Sequence, residues 1–139
     1  MKTNRNCFIL IAILSLSVLS CATKKDFLLS SVVPAARGYV KIDNDKNKNY
    51  NIKVIIENLA EVERLASRNS SYVVWMETMD NETKNLGQIK SARKAMSKRL
   101  KASLETKSSF KPSRIFITAE DNADIQYPVA QVVLSTEKF

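Results

Sequence analysis

Histidine is absent from this chain of 139 residues, and glycine occurs only twice. Histidine is the commonest general base and the commonest transition-metal ligand in proteins. Its absence excludes cysteine–histidine catalysis, serine–histidine catalysis and ordinary zinc sites. The scarcity of both residue types disfavours an enzyme, and we expect neither a cofactor nor a metal.

Cysteine is nearly as scarce, and both cysteines, Cys7 and Cys21, lie within the first 21 positions. The surrounding segment has the order of a secretory signal. Lys2 and Arg5 provide a positive start, residues 8–18 form an uncharged and mostly apolar stretch, and a small residue stands directly before Cys21. Removal of this segment would leave a folded part without a disulfide, although exported proteins occupy a compartment that allows them.

The residues around the expected cleavage point resemble the lipobox of bacterial lipoproteins. Val18 and Ser20 fit that pattern, whereas Leu19 is bulkier than the usual small residue. In such proteins the cysteine thiol receives a diacylglyceryl group and the cysteine becomes the new N-terminus. The resemblance implies a signal peptide at residues 1–20, a lipid anchor with palmitate on Cys21, and a location in the bacterial cell envelope.

Two alternatives compete with lipidation. An uncleaved membrane anchor is disfavoured because the apolar stretch is shorter than the roughly 20 residues that a membrane-spanning helix needs. A plain secretory signal followed by an incidental cysteine also fits the pattern. Cleavage before Cys21 leaves a mature chain of 119 residues, a length suited to one domain.

The start of the mature chain predicts a tether. Residues 21–36 contain charged residues followed by short apolar groups, and Pro34 argues against a long helix. We therefore expect a lipidated tether at 21–36 and a folded domain at 37–139. The residue after Cys21 is Ala22 rather than the aspartate of inner-membrane retention, which favours the outer membrane.

Beyond the tether, the hydrophobic pattern is mainly that of strands. Residues 59–70 have apolar groups at helical spacing, and residues 90–98 are irregular or helical in pattern. Trp75 lies in the most β-prone segment, so we expect it at the centre of the core. Alternating apolar residues predict strands at 39–42, 50–57, 72–78, 86–89, 100–106, 114–120 and 130–136.

About seven short strands separated by turns indicate an all-β fold. We expect an antiparallel, immunoglobulin-like two-sheet sandwich with a short helical or irregular insertion. The inter-sheet disulfide of antibody domains is missing, which excludes a true immunoglobulin domain.

An ordered series of motifs runs through most of the mature chain. It comprises Gly38 at the start of a strand, Tyr72 and Trp75 in YVVWM, Leu86-Gly87 in NLGQI, IFITAE at 115–120, Pro128, and QVVL at 131–134. Their order resembles the extracytoplasmic β-sandwich domain of anti-sigma-K type factors. The resemblance implies the fold. It does not carry over sigma-factor binding, because this chain shows neither the sigma-binding domain nor the membrane-spanning helix of that family.

The positive charge is concentrated in one part of the sequence. The whole chain has a formal charge of +8, and residues 84–114 hold ten basic residues against one acidic residue, Glu105. Such a segment could bind an anionic lipid surface or could be an ordinary solvated face. Nucleic acid is not an expected partner, since interleaved aromatic residues are scarce and the protein is exported. The candidate binding residues are Lys90, Arg93, Lys94, Lys98, Arg99 and Lys101.

Acidic and aromatic residues offer weaker candidates. Tyr72, Trp75 and Phe116 are more typical of a sandwich core than of a ligand platform. Acidic residues beside predicted turns could meet at one end of a sandwich, where they could bind calcium or supply a carboxylate pair for glycoside hydrolysis. No calcium-loop spacing is present, and ordinary turn chemistry explains such residues. They are Asp43, Asp45, Asp80, Glu82, Glu120, Asp121 and Asp124.

These observations favour a non-enzymatic, lipid-anchored protein of the cell envelope. We expect a binding or structural module in the periplasm or on the outer membrane, held to the membrane by its N-terminal lipid. Its expected partner is an envelope protein or an anionic lipid surface. The alternative is a small carbohydrate-active or hydrolytic domain that uses acidic loop residues.

Overall fold

The computed structural model describes residues 22–65, 70–90, 92–93 and 100–139, with the backbone alone at 92–93. Cys21, Lys94, Lys98 and Arg99 lie outside the described residues. A single 3₁₀ turn spans Val62–Arg64, within the predicted insertion. The strands are β1 (Thr23–Asp26), β2 (Arg37–Asn44), β3 (Tyr50–Glu57), β4 (Ser71–Thr78), β5 (Thr83–Ile89), β6 (Ala92–Arg93), β7 (Leu100–Ser108), β8 (Pro112–Glu120) and β9 (Val132–Ser135).

The strands form two antiparallel sheets, which confirms the predicted sandwich. One sheet has the order β1-β2-β3-β7-β6 and the other the order β5-β4-β8-β9. The observed β3 has the predicted bounds, whereas β5 begins three residues before the predicted start at residue 86. The β5 start was missed because Thr83, Lys84 and Asn85 are polar and adjoin a turn.

Alternation along β3 shows how the sequence builds the main core. Ile52, Val54 and Ile56 are at most 1% exposed, whereas Lys53 faces solvent. Successive strand residues point to opposite faces of the sheet, so every second residue enters the space between the two sheets. Burial of each such aliphatic side chain contributes about 1.5–3 kcal/mol relative to its exposure.

Strand β4 is buried on both faces. Tyr72, Val74 and Met76 join the main core between the sheets. Val73 and Trp75 face the other way and form a separate outer cluster with Phe116, against which Ala123 and Ile125 pack. The prediction of Trp75 at the centre of the core is therefore wrong in position, although the side chain is fully buried. The loop at 121–131 folds over the outer face of the sheet and supplies this second core.

Residues assigned to a tether belong instead to the sandwich. Strand β1 pairs with β2, and Phe27 continues into the second sheet through a bridge to Thr136. Phe27, Val33 and Ala36 are buried in the main core. The expected start of the domain at residue 37 is corrected to Thr23, because this segment has enough apolar side chains to bridge both sheets.

The strand registers define two ends of the sandwich. The near end is the one at which β1 begins, and it carries the connections at 45–49, 79–82 and 109–111. The far end carries the first residues of β2, β4 and β7 and the last residue of β8, Glu120. A strand of eight residues spans about 26 Å, which is the approximate separation of the two ends.

Candidate functional site

The near end holds Thr23, which is two positions after the candidate lipidation residue in the sequence. Thr23 pairs with Ile42, two positions before the end of β2. Cys21 is two residues upstream of Thr23, and two residues of chain span at most about 7 Å. A lipid on Cys21 would therefore lie close to the near end, rather than at the end of a flexible tether of sixteen residues.

The near end presents two exposed apolar side chains in adjacent loops. Met79 is 52% exposed in the β4–β5 connection, and Phe110 is 46% exposed in the β7–β8 connection. The backbone N–H of Met79 donates a hydrogen bond of 3.2 Å to the carbonyl of Lys111, which holds the two loops together. The ammonium of Lys84 lies 4.7 Å from the centre of the Phe110 ring. Both apolar residues stand in otherwise polar turns, and the sequence alone does not show that the two turns are adjacent.

The described residues of the predicted basic site lie at the far end of the sandwich. Lys90 follows the last residue of β5, and Lys101 pairs with Glu57 at the end of β3, with 3.0 Å between the charged atoms. The backbone of Arg93 lies opposite Leu100 at the same end. The other three residues of the candidate set lie outside the described part of the chain. The described residues of the set thus lie at the opposite end of the sandwich from Thr23, and their binding role stays a prediction.

The acidic turn residues do not gather at one end, contrary to the clustering that a metal or hydrolytic site would need. The acidic residues beside the β2–β3 and β4–β5 connections lie at the near end. The acidic residues at and after the last residue of β8 belong to the segment that begins at the far end. Among the described residues, no group of three or more acidic or cysteine side chains could hold a metal ion. The near-end group is Asp43, Asp45, Asp80 and Glu82, and the other group is Glu120, Asp121 and Asp124.

Turn chemistry explains the Asp45 carboxylate. It accepts hydrogen bonds from the backbone N–H groups of Asn49 and Asn47, at 2.9 and 2.8 Å. These bonds, of which the one from Asn49 is the strongest cause, hold the pKa of Asp45 below its ordinary value. The side chain stabilises the β2–β3 turn in the manner usual for aspartate.

Glu120 is a buried carboxylate with a structural role. Its side chain is 1% exposed. The backbone N–H groups of Val129 and Ala130 donate hydrogen bonds of 3.2 Å to its oxygens. A buried charge of this kind needs such donors, and the bonds fix the end of the loop that covers Trp75.

Glu61 and Glu63 share a small hollow of about 210 Å³ with Tyr72 and Lys90. Burial, with a smaller contribution from Glu63, raises the pKa of Tyr72 to about 12, and its hydroxyl donates to the carbonyl of Ala60. Both carboxylates are exposed. A glycosidase acid is usually held in an apolar pocket, so this hollow offers little support for hydrolysis.

A broader groove of about 660 Å³ runs between β5 and the loop at 121–131. The side-chain amide of Asn85 links β5 to this loop, because it donates hydrogen bonds of 3.0 and 2.8 Å to the carbonyls of Ala123 and Ile125. Asp124 is the one carboxylate among its lining residues. The groove therefore lacks the carboxylate pair that glycoside hydrolysis requires.

Glu77, the second-to-last residue of β4, lies between two cations. Its carboxylate approaches Arg114 and Lys138, each at 2.7 Å, and its side chain is 12% exposed. The hydrogen bond from Lys138 is the largest of the effects that hold the pKa of Glu77 below its ordinary value of 4.5, and Arg114 adds to it. This cluster joins β4, β8 and the C-terminal residues.

We expect Glu77→Gln to lower the free energy of unfolding by about 1 kcal/mol at pH 7. The folded pKa is depressed, so the carboxylate contributes its stability above pH 4.5 and loses it as the pH falls through the folded pKa. The difference between wild type and variant should therefore shrink on acidification. Urea unfolding at pH 7 and at pH 3 measures it.

Glu105→Gln is the matched control, since Glu105 pairs with Lys53 on the exposed face of the first sheet. Its effect should be much smaller at pH 7 because solvent screens exposed pairs. An equal loss of unfolding free energy from both substitutions, or a Glu77→Gln effect that does not change with pH, would contradict a stabilising role for the Glu77 ion pairs.

No helix among the described residues is long and apolar enough to cross a membrane. Comparison of the chain with protein-family models, with curated proteins and with solved structures finds no significant match.

Proposed function

We propose that this protein is a non-enzymatic, lipid-anchored module of the bacterial cell envelope, held to the membrane by acylation of Cys21. The observation that carries the proposal is the combination of the N-terminal signal pattern with the position of β1. The sequence resembles a lipoprotein signal up to Cys21, and the first strand begins at Thr23. The chain changes from a processing signal to folded structure within two residues.

The surface supports a binding or structural role more than catalysis. The hydrogen bonds and ion pairs described above engage Asp45, Glu120 and Glu77 in turns, loop closure and strand contacts. The candidate partners remain an envelope protein or an anionic lipid surface, with the outer membrane as the expected location. The resemblance to the extracytoplasmic domain of anti-sigma-K type factors supports the same class of module, without a role in sigma-factor binding.

Replacement of the anchoring thiol should abolish lipidation. We expect Cys21→Ala to lose incorporation of radiolabelled palmitate completely, because the acyl acceptor is removed, and to change the membrane fractionation of the protein. The measurement is labelling of cells that express the wild type or the variant, followed by membrane fractionation.

Cys7→Ala is the matched control, because it removes the other cysteine and leaves the expected acceptor in place. It should retain the label at the wild-type level. Label that persists in Cys21→Ala, or a wild type without label, would overturn the lipoprotein assignment.

A further inference from the structure

The near end would have to face the membrane closely if Cys21 carries lipid, so the following inference rests on the proposed function. Only Cys21 and Ala22 separate the lipid from β1, and Thr23 is already paired with Ile42. Ile42 lies two positions before the end of β2, so Thr23 is next to the connection at 45–49. The near end therefore lies at the headgroup level, unless β1 leaves its sheet.

Met79 and Phe110 give this end an apolar character that its polar turns do not require. They are 52% and 46% exposed, and their loops are joined through the hydrogen bond from Met79 to Lys111. Apolar side chains at loop tips can enter the boundary between headgroups and acyl chains, where they lose contact with water.

Lysine residues lie at the same end of the sandwich as these two residues. Lys84 lies over the Phe110 ring, and Lys111 follows Phe110 in the chain. Lys46 and Lys48 are exposed in the β2–β3 turn of the same end. Long lysine side chains can keep their ammonium groups among lipid phosphates while apolar neighbours lie deeper. Basic residues near an anionic leaflet add electrostatic attraction to it.

Acidic residues in the same loops limit the electrostatic attraction. Asp80 and Glu82 lie in the β4–β5 connection, and Glu82 pairs with Lys84 at 2.7 Å. The apolar side chains, rather than net charge, must therefore supply most of the contact. This distinguishes the near end from the far end, where Lys90 and Lys101 of the predicted basic site lie.

We propose that the near end is a membrane-docking surface, in which Met79 and Phe110 enter the phospholipid interface and the neighbouring lysines contact headgroup phosphates. The occupant is the bilayer that holds the acylated cysteine. Docking fixes the orientation of the sandwich and directs the far end, with Lys90 and Lys101, away from that membrane.

Depth-dependent fluorescence quenching tests this orientation. The full chain is reconstituted into vesicles of phosphatidylcholine and phosphatidylglycerol, with and without bromine atoms on the acyl chains. Phe110→Trp reports from the near end. Val129→Trp is the matched control, because Val129 is 84% exposed and its N–H contacts Glu120 at the far end. Buried Trp75 contributes the same background to both variants.

We expect brominated lipid to quench Phe110→Trp and to shift its emission to the blue, and to leave Val129→Trp unchanged. Equal quenching at both positions, or none at position 110 in vesicle-bound protein, would overturn the proposal. A blue shift at position 110 without quenching would mean that a protein or a second copy covers the near end, and it would overturn the proposal as well.

The failure of docking can be distinguished from the failure of lipidation. Palmitate incorporation is measured on the same preparations, and Cys21→Ser in the full chain is added to the vesicles in parallel. Label without quenching refutes docking and leaves the anchor intact. Quenching at position 110 without label refutes lipidation and leaves the docking surface intact.

Discussion

Trp75→Ala should lower the free energy of unfolding by about 3–5 kcal/mol, the usual cost of removing a buried aromatic side chain. Trp75 is fully buried on the outer face of the four-stranded sheet. Its ring stacks with that of Phe116, with 6.4 Å between the ring centres and 17° between the planes. The cavity left by alanine would lie beneath the loop at 121–131, whose Ala123 and Ile125 pack on this cluster.

The indole N–H adds a polar contribution that a second variant isolates. Nε1 of Trp75 donates a hydrogen bond of 2.8 Å to the hydroxyl of Thr118. Trp75→Phe keeps most of the apolar contact and removes this donor, so we expect a smaller loss, about 1–3 kcal/mol. Urea unfolding followed by circular dichroism compares the two variants with wild type.

Limited proteolysis tests whether Trp75 acts through the covering loop. Cleavage near exposed Tyr127 should become faster in Trp75→Ala, because Ala123 and Ile125 lose the surface on which they pack. A loss of stability below about 1 kcal/mol, with unchanged proteolysis, would contradict the outer cluster as a second core.

The position of Trp75 shows what the hydrophobic pattern could and could not predict. Alternation in β3 correctly identified the strand and its inward face, because the other face of the strand is in contact with solvent. The run Tyr72–Met76 is continuous rather than alternating, a pattern that indicates burial on both faces. That signal was present, but the covering loop at 121–131 mixes polar and apolar residues without a regular period, and nothing in its sequence shows where it folds.

The first strand was missed for a related reason. Thr23–Asp26 is short, mostly exposed and rich in charge, which is typical of an edge strand and equally typical of a tether. Its place depends on Phe27, which fills the main core and bridges to Thr136, more than a hundred residues later in the chain. Contacts over such a separation leave no local periodicity to detect.

In the candidate site, too, the sequence predicts the local pattern and not the contacts between distant residues. The lipobox-like pattern at Cys21 is local, so the sequence alone predicts it. The relation of Met79 to Phe110 depends on the pairing of β4 with β8, which brings together two loops about thirty residues apart. The charge count drew attention to residues 90–101, whereas the strand directions place the described residues Lys90 and Lys101 at the opposite end from Thr23.

Gly38→Ala should be strongly destabilising, by about 3 kcal/mol, because β2 and β3 approach too closely at this position for a side chain. A Cβ atom on Gly38 would lie 2.3 Å from the carbonyl oxygen of Ile55 and 2.9 Å from Cα of Ile56. Both are backbone atoms, so the strands themselves would have to move, at the cost expected of overpacking.

The substitution should also loosen the start of the sandwich. The carbonyl of Gly38 accepts the hydrogen bond of 3.0 Å from the N–H of Phe27, at the point where the chain crosses between the sheets. A shift of β2 would therefore weaken the contact that fixes β1, and with it the position of Thr23 at the near end. Hydrogen exchange at Phe27 should accelerate together with the loss of global stability.

Two controls separate the close approach of the strands from other effects. Lys41→Ala lies in the same strand on its exposed face, and it should change stability by less than about 0.5 kcal/mol. Gly87→Ala introduces strain without a clash, because its φ is +124° and the nearest atom, on Leu104, is 3.8 Å from the added Cβ. Urea unfolding of the three variants should rank Gly38→Ala as the most destabilising or equal to Gly87→Ala, with Lys41→Ala near wild type. A Gly38→Ala protein as stable as Lys41→Ala would show that β2 and β3 can separate at this point, and the close approach would then not be what anchors β1.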